Sequence, residues 1–257
     1  MCGFYGQFNT ANLAAEDFKK LLSLSKHRGP DQFGFWESDW VQLGFNRLAI
    51  LDLTEAGHQP MISPNGKYVV VFNGEIYNHL ALRKKLPAYN YRGHSDTETI
   101  THALEVWGIT KTIEALDGMF AIAIYNIGEN KLTLARDFAG IKPLFYGEVK
   151  GQIVFSSQYD QLRSHPLFRE KAINPQVLKL YLKQHFVPAP FGLHQGLHQV
   201  RPGEIVEFTA QGDVKKTIFW ELSSSLGKDL ISNEKEAQRT FTEAFKNAVE
   251  GQLVADV

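Results

Sequence analysis

KYVVVFNGEIYN, residues 67–78, decides the architecture. Tyr68 to Phe72 form an apolar run of aromatic and valine side chains with no polar break, which predicts a buried β-strand. The run ends in Asn73-Gly74, the strongest short signal for a two-residue hairpin turn, so a sharp turn is expected there. Glu75 follows at once, a charge at the end of a very apolar strand.

Outward from this stretch the chain alternates apolar runs with turn signals. GFYGQF (3–8) predicts a strand, and EDFKKLLSLSKH (16–27) an amphipathic helix with Phe18, Leu21, Leu22 and Leu24 at helical spacing. Gly29 and Pro30 stop that helix. Residues 32–53 are aromatic and β-branched and predict a hairpin. HLALRKKL (79–86) reads as a short helix. SDTETITHALEVWG (95–108) reads as a capped one, with Ser95 or Asp96 as N-cap and Glu98 close behind. Residues 119–126 with 131–137 predict a further hairpin, and 143–149 and 152–157 two more strands. Hairpins dominate, which argues for antiparallel sheets over a doubly wound parallel one.

After about residue 170 the texture changes. Residues 173–186 read as a helix, VPAPFG (187–192) as a Pro-rich loop, and two strands flank a turn at Gln211-Gly212-Asp213. From Asn233 a long amphipathic helix carries Ala237, Phe241, Phe245 and Val249 on one face. Such a face must either fold back on this domain or open a second one.

Composition bounds the function. With 257 residues and about 150 per domain as a soft prior, the chain holds one large domain or one and part of a second. A net charge of -1 excludes the clustered basic excess of a nucleic-acid binder. No stretch reads as a transmembrane helix or signal peptide, so a cytoplasmic location without membrane association is expected. The nine histidines form no metal-binding spacing.

The lone cysteine, Cys2, excludes an internal disulfide. A single cysteine is usually a small buried hydrophobe, but a second residue is normally exposed and frayed. Removal of Met1 is favoured before a small side chain and leaves a thiol and an α-amine on one residue. Their ordinary pKa values, about 8.5 and about 7.7–8.0, suit a nucleophile and its own base. Asn73 and Gly74, besides their turn reading, offer a side-chain and a backbone N–H for a developing oxyanion. A free amino acid needs one cation and one or two carboxylates. Arg47, with a planar fork that binds carboxylate bidentately, and Glu75 and Asp96, facing an ammonium, are the candidates. Each has a plainer reading, Arg47 as a strand-edge residue and Asp96 as a helix cap.

Together these residues match one ordered set of motifs. They are Cys2-Gly3-Phe4, His27-Arg28-Gly29-Pro30-Asp31, Arg47-Leu48-Ala49-Ile50-Leu51-Asp52 and Phe72-Asn73-Gly74-Glu75-Ile76-Tyr77-Asn78, followed by Ser95-Asp96-Thr97-Glu98. Leu116 to Ala121, Ala135-Arg136-Asp137, Gly140 to Leu144 and Tyr146 complete the set. Over about residues 2–208 the chain resembles the glutaminase domain of asparagine synthetase B and related class II glutamine amidotransferases. The resemblance implies an α+β N-terminal-nucleophile hydrolase fold, two antiparallel sheets sandwiched between helical layers. It implies hydrolysis of glutamine to glutamate and ammonia, with ammonia passed to an ATP-dependent, asparagine synthetase-like amidation of a carboxylate. Cys2 would be nucleophile and base, Asn73 and Gly74 the oxyanion hole, Arg47 the carboxylate partner, and Glu75 and Asp96 the ammonium partners. The Arg28–Asp31 and Arg136–Tyr146 stretches would shape the pocket. No cofactor is implied for the glutaminase half. ATP and Mg2+ belong to a synthetase domain or subunit, whose Ser-Gly-Gly-x-Asp-Ser loop does not occur here, so residues 209–257 are expected to be a linker and the start of that partner. Gln158 stands where the family usually has an acid, which leaves the acceptor open. A non-catalytic, glutamine-binding regulatory domain is the alternative, and homo-oligomerisation is left open.

Overall fold

The computed structural model describes residues 1–224, 226–227, 230–253 and 255–256. Two six-stranded antiparallel sheets face each other, with helices on both outer faces. The first sheet contains β1 (Gly3–Phe8), β2 (Gln32–Glu37), β3 (Val41–Arg47), β8 (Phe145–Val149), β9 (Gln152–Ser156) and β10 (Leu197–Gln199), in the order β10-β8-β9-β1-β3-β2. The second contains β4 (Met61–Ile62), β5 (Tyr68–Ile76), β6 (Gly118–Asn126), β7 (Lys131–Arg136), β11 (Glu204–Thr209) and β12 (Val214–Ile218), in the order β12-β11-β7-β6-β5-β4.

Period-2 alternation assigns each strand two jobs. Phe4 and Phe8 of β1, Val41, Leu43 and Phe45 of β3, and Val69 and Val71 of β5 point into the core between the sheets. Fully burying one such side chain contributes about 1.5–3 kcal/mol. Tyr5 points the other way, to Phe18, Leu21 and Leu22 of α1 (Ala15–Ser23) and Leu162 of α5 (Tyr159–Ser164). Tyr68, Val70, Phe72 and Ile76 meet α2 (His79–Lys85), α3 (Asp96–Trp107) and α4 (Ile109–Ala115) through Leu82, Ile100, Leu104 and Ile113. The order is therefore helix, sheet, sheet, helix, as expected.

Two local expectations change. Asn73-Gly74 is no turn: both residues lie inside β5, Asn73 opposite Ala121 and Gly74 opposite Phe120. A Cβ on Gly74 would sit 2.3 Å from the Met119 carbonyl oxygen, so glycine serves close strand approach here. Ser95, not Asp96, caps α3, its Oγ accepting from Glu98 N–H at 3.2 Å. Asp96 is thereby the first helical residue, with a carboxylate free for other work. The Glu98 carboxylate accepts from the N–H groups of Arg92 and Gly93.

The second sheet runs beyond residue 208. β12 pairs with β11 from Phe208↔Val214 to Glu204↔Ile218, around the expected turn. After α6 (Pro175–Gln184), capped by Asn174, the last helix is α7 (Glu234–Gly251). Phe241, Phe245 and Val249 are 71%, 62% and 44% exposed, so its apolar face does not fold back on the sheets. Among the described residues, no helix is long and apolar enough to cross a membrane.

Candidate active site

Alternation also builds the site. Even-numbered residues of β1 and odd-numbered residues of β3 face the inter-sheet core. Extending β1 back by one residue directs Cys2 inward, and the last residue of β3 is Arg47. Gly3 opposite Asn46 sets Cys2 beside Arg47. On the facing sheet, Asn73 and Glu75 continue the inward row of Val69 and Val71. The two inner faces open at this end into a pocket with about 600 Å³ of empty space, part of it open to solvent. Cys2, Arg47, Asn73, Gly74, Glu75 and Asp96 all line it, as do Gln59 and Lys142.

Two N–H donors in this pocket lack protein acceptors. The buried Asn73 Nδ2 makes no hydrogen bond. The second donor follows from the edge of β5. The Phe72 N–H donates to Gln59 Oε1 at 2.6 Å, and the Ile76 N–H to Asp96 Oδ2 at 2.9 Å. Gly74 N–H lies between them on the same edge. β4 pairs only as far as Val70, and no acceptor among the described residues reaches Gly74 N–H. A buried donor left unpaired is uncommon in a folded protein, and of the six unpaired buried side-chain nitrogen and oxygen atoms among the described residues Asn73 Nδ2 is the one that belongs to this pocket's lining.

Cys2 Sγ sits against the backbone of Leu48, 3.4 Å from its nitrogen and 3.5 Å from its oxygen. Burial pushes the thiol pKa up, with Leu48 N–H, the chain's terminal amine and Arg47 opposing. The terminal amine, here that of Met1, is pushed down, chiefly by burial and further by Lys142 and Arg28. A protonated thiol therefore neighbours an amine that releases its proton readily. Met1 itself lines the pocket, so its removal both frees a terminal nitrogen on Cys2 and clears space.

Asp96 is buried, and burial raises its pKa to about 6, against hydrogen bonds from Ile76 and Thr97. Burial likewise raises Glu75, with Lys142 opposing. Arg47 differs from the open fork expected from sequence. Nη1 donates to Gln32 Oε1 at 2.8 Å and the Thr54 carbonyl at 3.0 Å, while Nη2 donates to the Leu51 carbonyl at 3.2 Å and the Asp52 carbonyl. Its guanidinium thus shapes the 48–54 loop, and Nε–H is left without a protein acceptor among the described residues. The same loop touches the end of the chain, where Asp256 Oδ2 accepts from Asp52 N–H at 2.7 Å and lies 2.6 Å from His94 Nε2.

Sequence reasoning missed Gln59 and Lys142. Gln59 carries no local signal, because its role is to cap a strand edge thirteen residues away in sequence. Lys142 had a signal, a lone cation in the Gly-Ile-Lys-Pro-Leu motif, but its stretch reads there as structural.

Two stacked antiparallel sheets with the Cys2 thiol in the cleft at one end make the fold of solved glutamine amidotransferases. Residues 1–220 match the family of the glutamine amidotransferase domain, and the chain belongs to that family. It is 32% identical to asparagine synthetase [glutamine-hydrolyzing] 1 of Bacillus subtilis over 264 residues, covering 100% of this chain and 41% of the relative. To a putative asparagine synthetase [glutamine-hydrolyzing] of Mycobacterium tuberculosis it is 35% identical over 261 residues, covering 95% and 39%. The chain thus spans about two fifths of the length of these relatives. Among solved structures, glutamine phosphoribosylpyrophosphate amidotransferase of B. subtilis aligns with TM-score 0.62 and 18% identity, covering 85% of this chain and 49% of that one, a likeness in fold.

Proposed function

We propose that the chain is the glutaminase part of an ATP-dependent, asparagine synthetase-like enzyme, acting after Met1 is removed. The observation carrying this reading is the pair of unsatisfied donors, Asn73 Nδ2 and Gly74 N–H, in the pocket that holds Cys2.

The chemistry runs in two halves. The Cys2 thiol gives its proton to the terminal amine as sulfur attacks the side-chain amide carbon of glutamine. Asn73 Nδ2 and Gly74 N–H receive the oxyanion. The amine returns the proton to the departing nitrogen, releasing ammonia and leaving a γ-glutamyl thioester. Water then attacks the thioester with the amine as base, and glutamate leaves as the thiol regains its proton. Arg47 Nε and the loop it organises hold the substrate carboxylate, while Glu75 and Asp96 hold its ammonium. Glutamine hydrolysis needs no cofactor here, and ATP with Mg2+ serves the synthetase part, working in the cytoplasm.

The glutaminase fold runs past the boundary expected near residue 208, because β12 completes its second sheet, and the residues after β12 lead toward the synthetase partner. The bare apolar face of α7 supports this division. The relatives' names support aspartate as ammonia acceptor. The test is release of glutamate and ammonia in equal amounts from glutamine by the Met1-free protein, with absence of both contradicting the reading.

The ammonium partners give a second expectation. The Asp96 pKa is raised to about 6, so the group is charged above that pH and loses its charge as pH falls through it. Glutamine affinity, measured by calorimetry on a Cys2→Ala protein to prevent turnover, should weaken below pH 6, by up to about tenfold per pH unit. Asp96→Asn should bind about 10–100-fold more weakly at pH 7.5, the loss of one charge-assisted hydrogen bond. Unchanged affinity in that variant would remove Asp96 from the ammonium site.

A further inference from the structure

Lys142 is a buried lysine, 5% exposed, in the active-site pocket with Cys2 and Glu75. Its ammonium forms no hydrogen bond or ion pair among the described residues and keeps contact with the solvent of the pocket. The loop that carries it is clamped at both ends of the residue. Arg136 Nε donates to the Lys142 carbonyl at 2.7 Å, and Lys142 N–H donates to Asp137 Oδ2 at 3.0 Å. Arg136 also ties down the carbonyls of Gly140 and Val200, and Asp137 accepts further from Ala139 and Ile141. The Asp137 carboxylate is thus spent on backbone N–H groups, and the clamp holds an unpaired cation in the cleft.

We propose that Lys142 is a positioning residue for the Cys2 nucleophile, its ammonium favouring loss of the proton from both the sulfur and the terminal nitrogen before attack. This rests on the reading of Cys2 as nucleophile and base. A cation beside the terminal amine keeps that amine neutral, as a base must be, and the same cation favours the thiolate over the thiol. Burial lowers the Lys142 pKa, while Cys2 and Glu75 raise it, as expected for a cation facing both. The other charged groups facing the thiol and amine are Arg28 and Asp31 on the segment after α1, Arg47 on β3, and Glu75 and Asp96 from the second sheet and α3. The two arginines are held by backbone or loop carbonyls, Arg28 Nε donating to the Cys2 carbonyl at 3.1 Å and Arg47 to the carbonyls of Leu51, Asp52 and Thr54. Lys142 is the cation of this set without such a tether.

The signs are the same for the three groups on which it acts. Removing the positive charge raises the thiol, the amine and Glu75 together, so each gives up its proton at a higher pH. In Lys142→Met the acid limb of the kcat/KM profile for glutamine should move up by about one pH unit. Lys142→Arg should keep the limb near its original place, whatever it does to the rate. A purely structural lysine would lower the rate evenly at all pH values and leave the limb where it was, and that result overturns the proposal. Lys142→Gln serves as a second uncharged variant if the methionine protein does not fold. Alkylation of Cys2 by iodoacetamide, followed across pH in the absence of glutamine, reads thiol ionisation without turnover. Its midpoint should rise in the uncharged variants, and an unmoved midpoint rejects the role of Lys142. Should Cys2→Ala still release glutamate, the nucleophile reading fails, while the alkylation midpoint still decides whether Lys142 governs the thiol.

Discussion

Cys2→Ala should lower glutamate release from glutamine by at least about a thousandfold, because the hydroxyls that also line the pocket are otherwise engaged, Ser95 in capping α3 and Thr97 with Gln59 and Asp96. Glu75 and Asp96 are proposed as ammonium partners, and among the described residues no further cysteine exists to take over. The substitution leaves the fold alone. Cys2 precedes β1 and is only partly buried, and its sulfur makes just two weak contacts, both to Leu48. Thermal unfolding should therefore shift little, by under about 1 kcal/mol in stability. Loss of activity without loss of stability separates a chemical role from a structural one. Equal glutamate release by variant and wild type would remove Cys2 from the reaction.

Asn73→Ala should cost about 100–1000-fold in kcat, with a small change in KM. That is the effect of deleting one oxyanion donor in a water-poor site. Its amide nitrogen has no partner in the resting protein, so truncation breaks no existing hydrogen bond through that atom. The penalty falls on the transition state, where the carbonyl oxygen of glutamine becomes charged. Asn73→Asp should be at least as damaging, because it places an acceptor where a donor is needed. A rise in KM with kcat preserved would instead place Asn73 in ground-state binding.

Much of the fold was legible, and what escaped has physical causes. The hairpin 119–136 and the strands at 145–149 and 152–156 were readable because each signal lies within one short window. The order of strands was not: β1 lies between β9 and β3, and its partner in β9 is some 150 residues away, beyond any local signal. Asn73-Gly74 misled because a dipeptide signal ranks below nine residues of pairing with β6, which hold both residues extended. That correction strengthens the site, since an extended Gly74 leaves its N–H on an open strand edge, unlike a hairpin turn. The six candidate residues do line one pocket, found by matching chemistry to spacing. What spacing could not reveal was how Arg47 spends its donors. The carbonyls of Leu51, Asp52 and Thr54 that occupy it belong to a loop whose course depends on that same arginine. Lys142 was hidden for a similar reason, since its burial comes from the Arg136 and Asp137 clamp.

The central claim is that the sulfur and the first nitrogen of the mature chain act as one unit. It is tested most directly by comparing Met1-free protein with a version in which a residue resistant to removal stays in front of Cys2. The extended protein keeps the thiol, the oxyanion donors and the substrate clamp, but its nitrogen is an amide with no basic lone pair. With intact mass verifying each N-terminus, the processed form should hydrolyse glutamine and the extended form should lose at least about a hundredfold in kcat, the share of a positioned base. Equal kcat in the two forms would contradict the account.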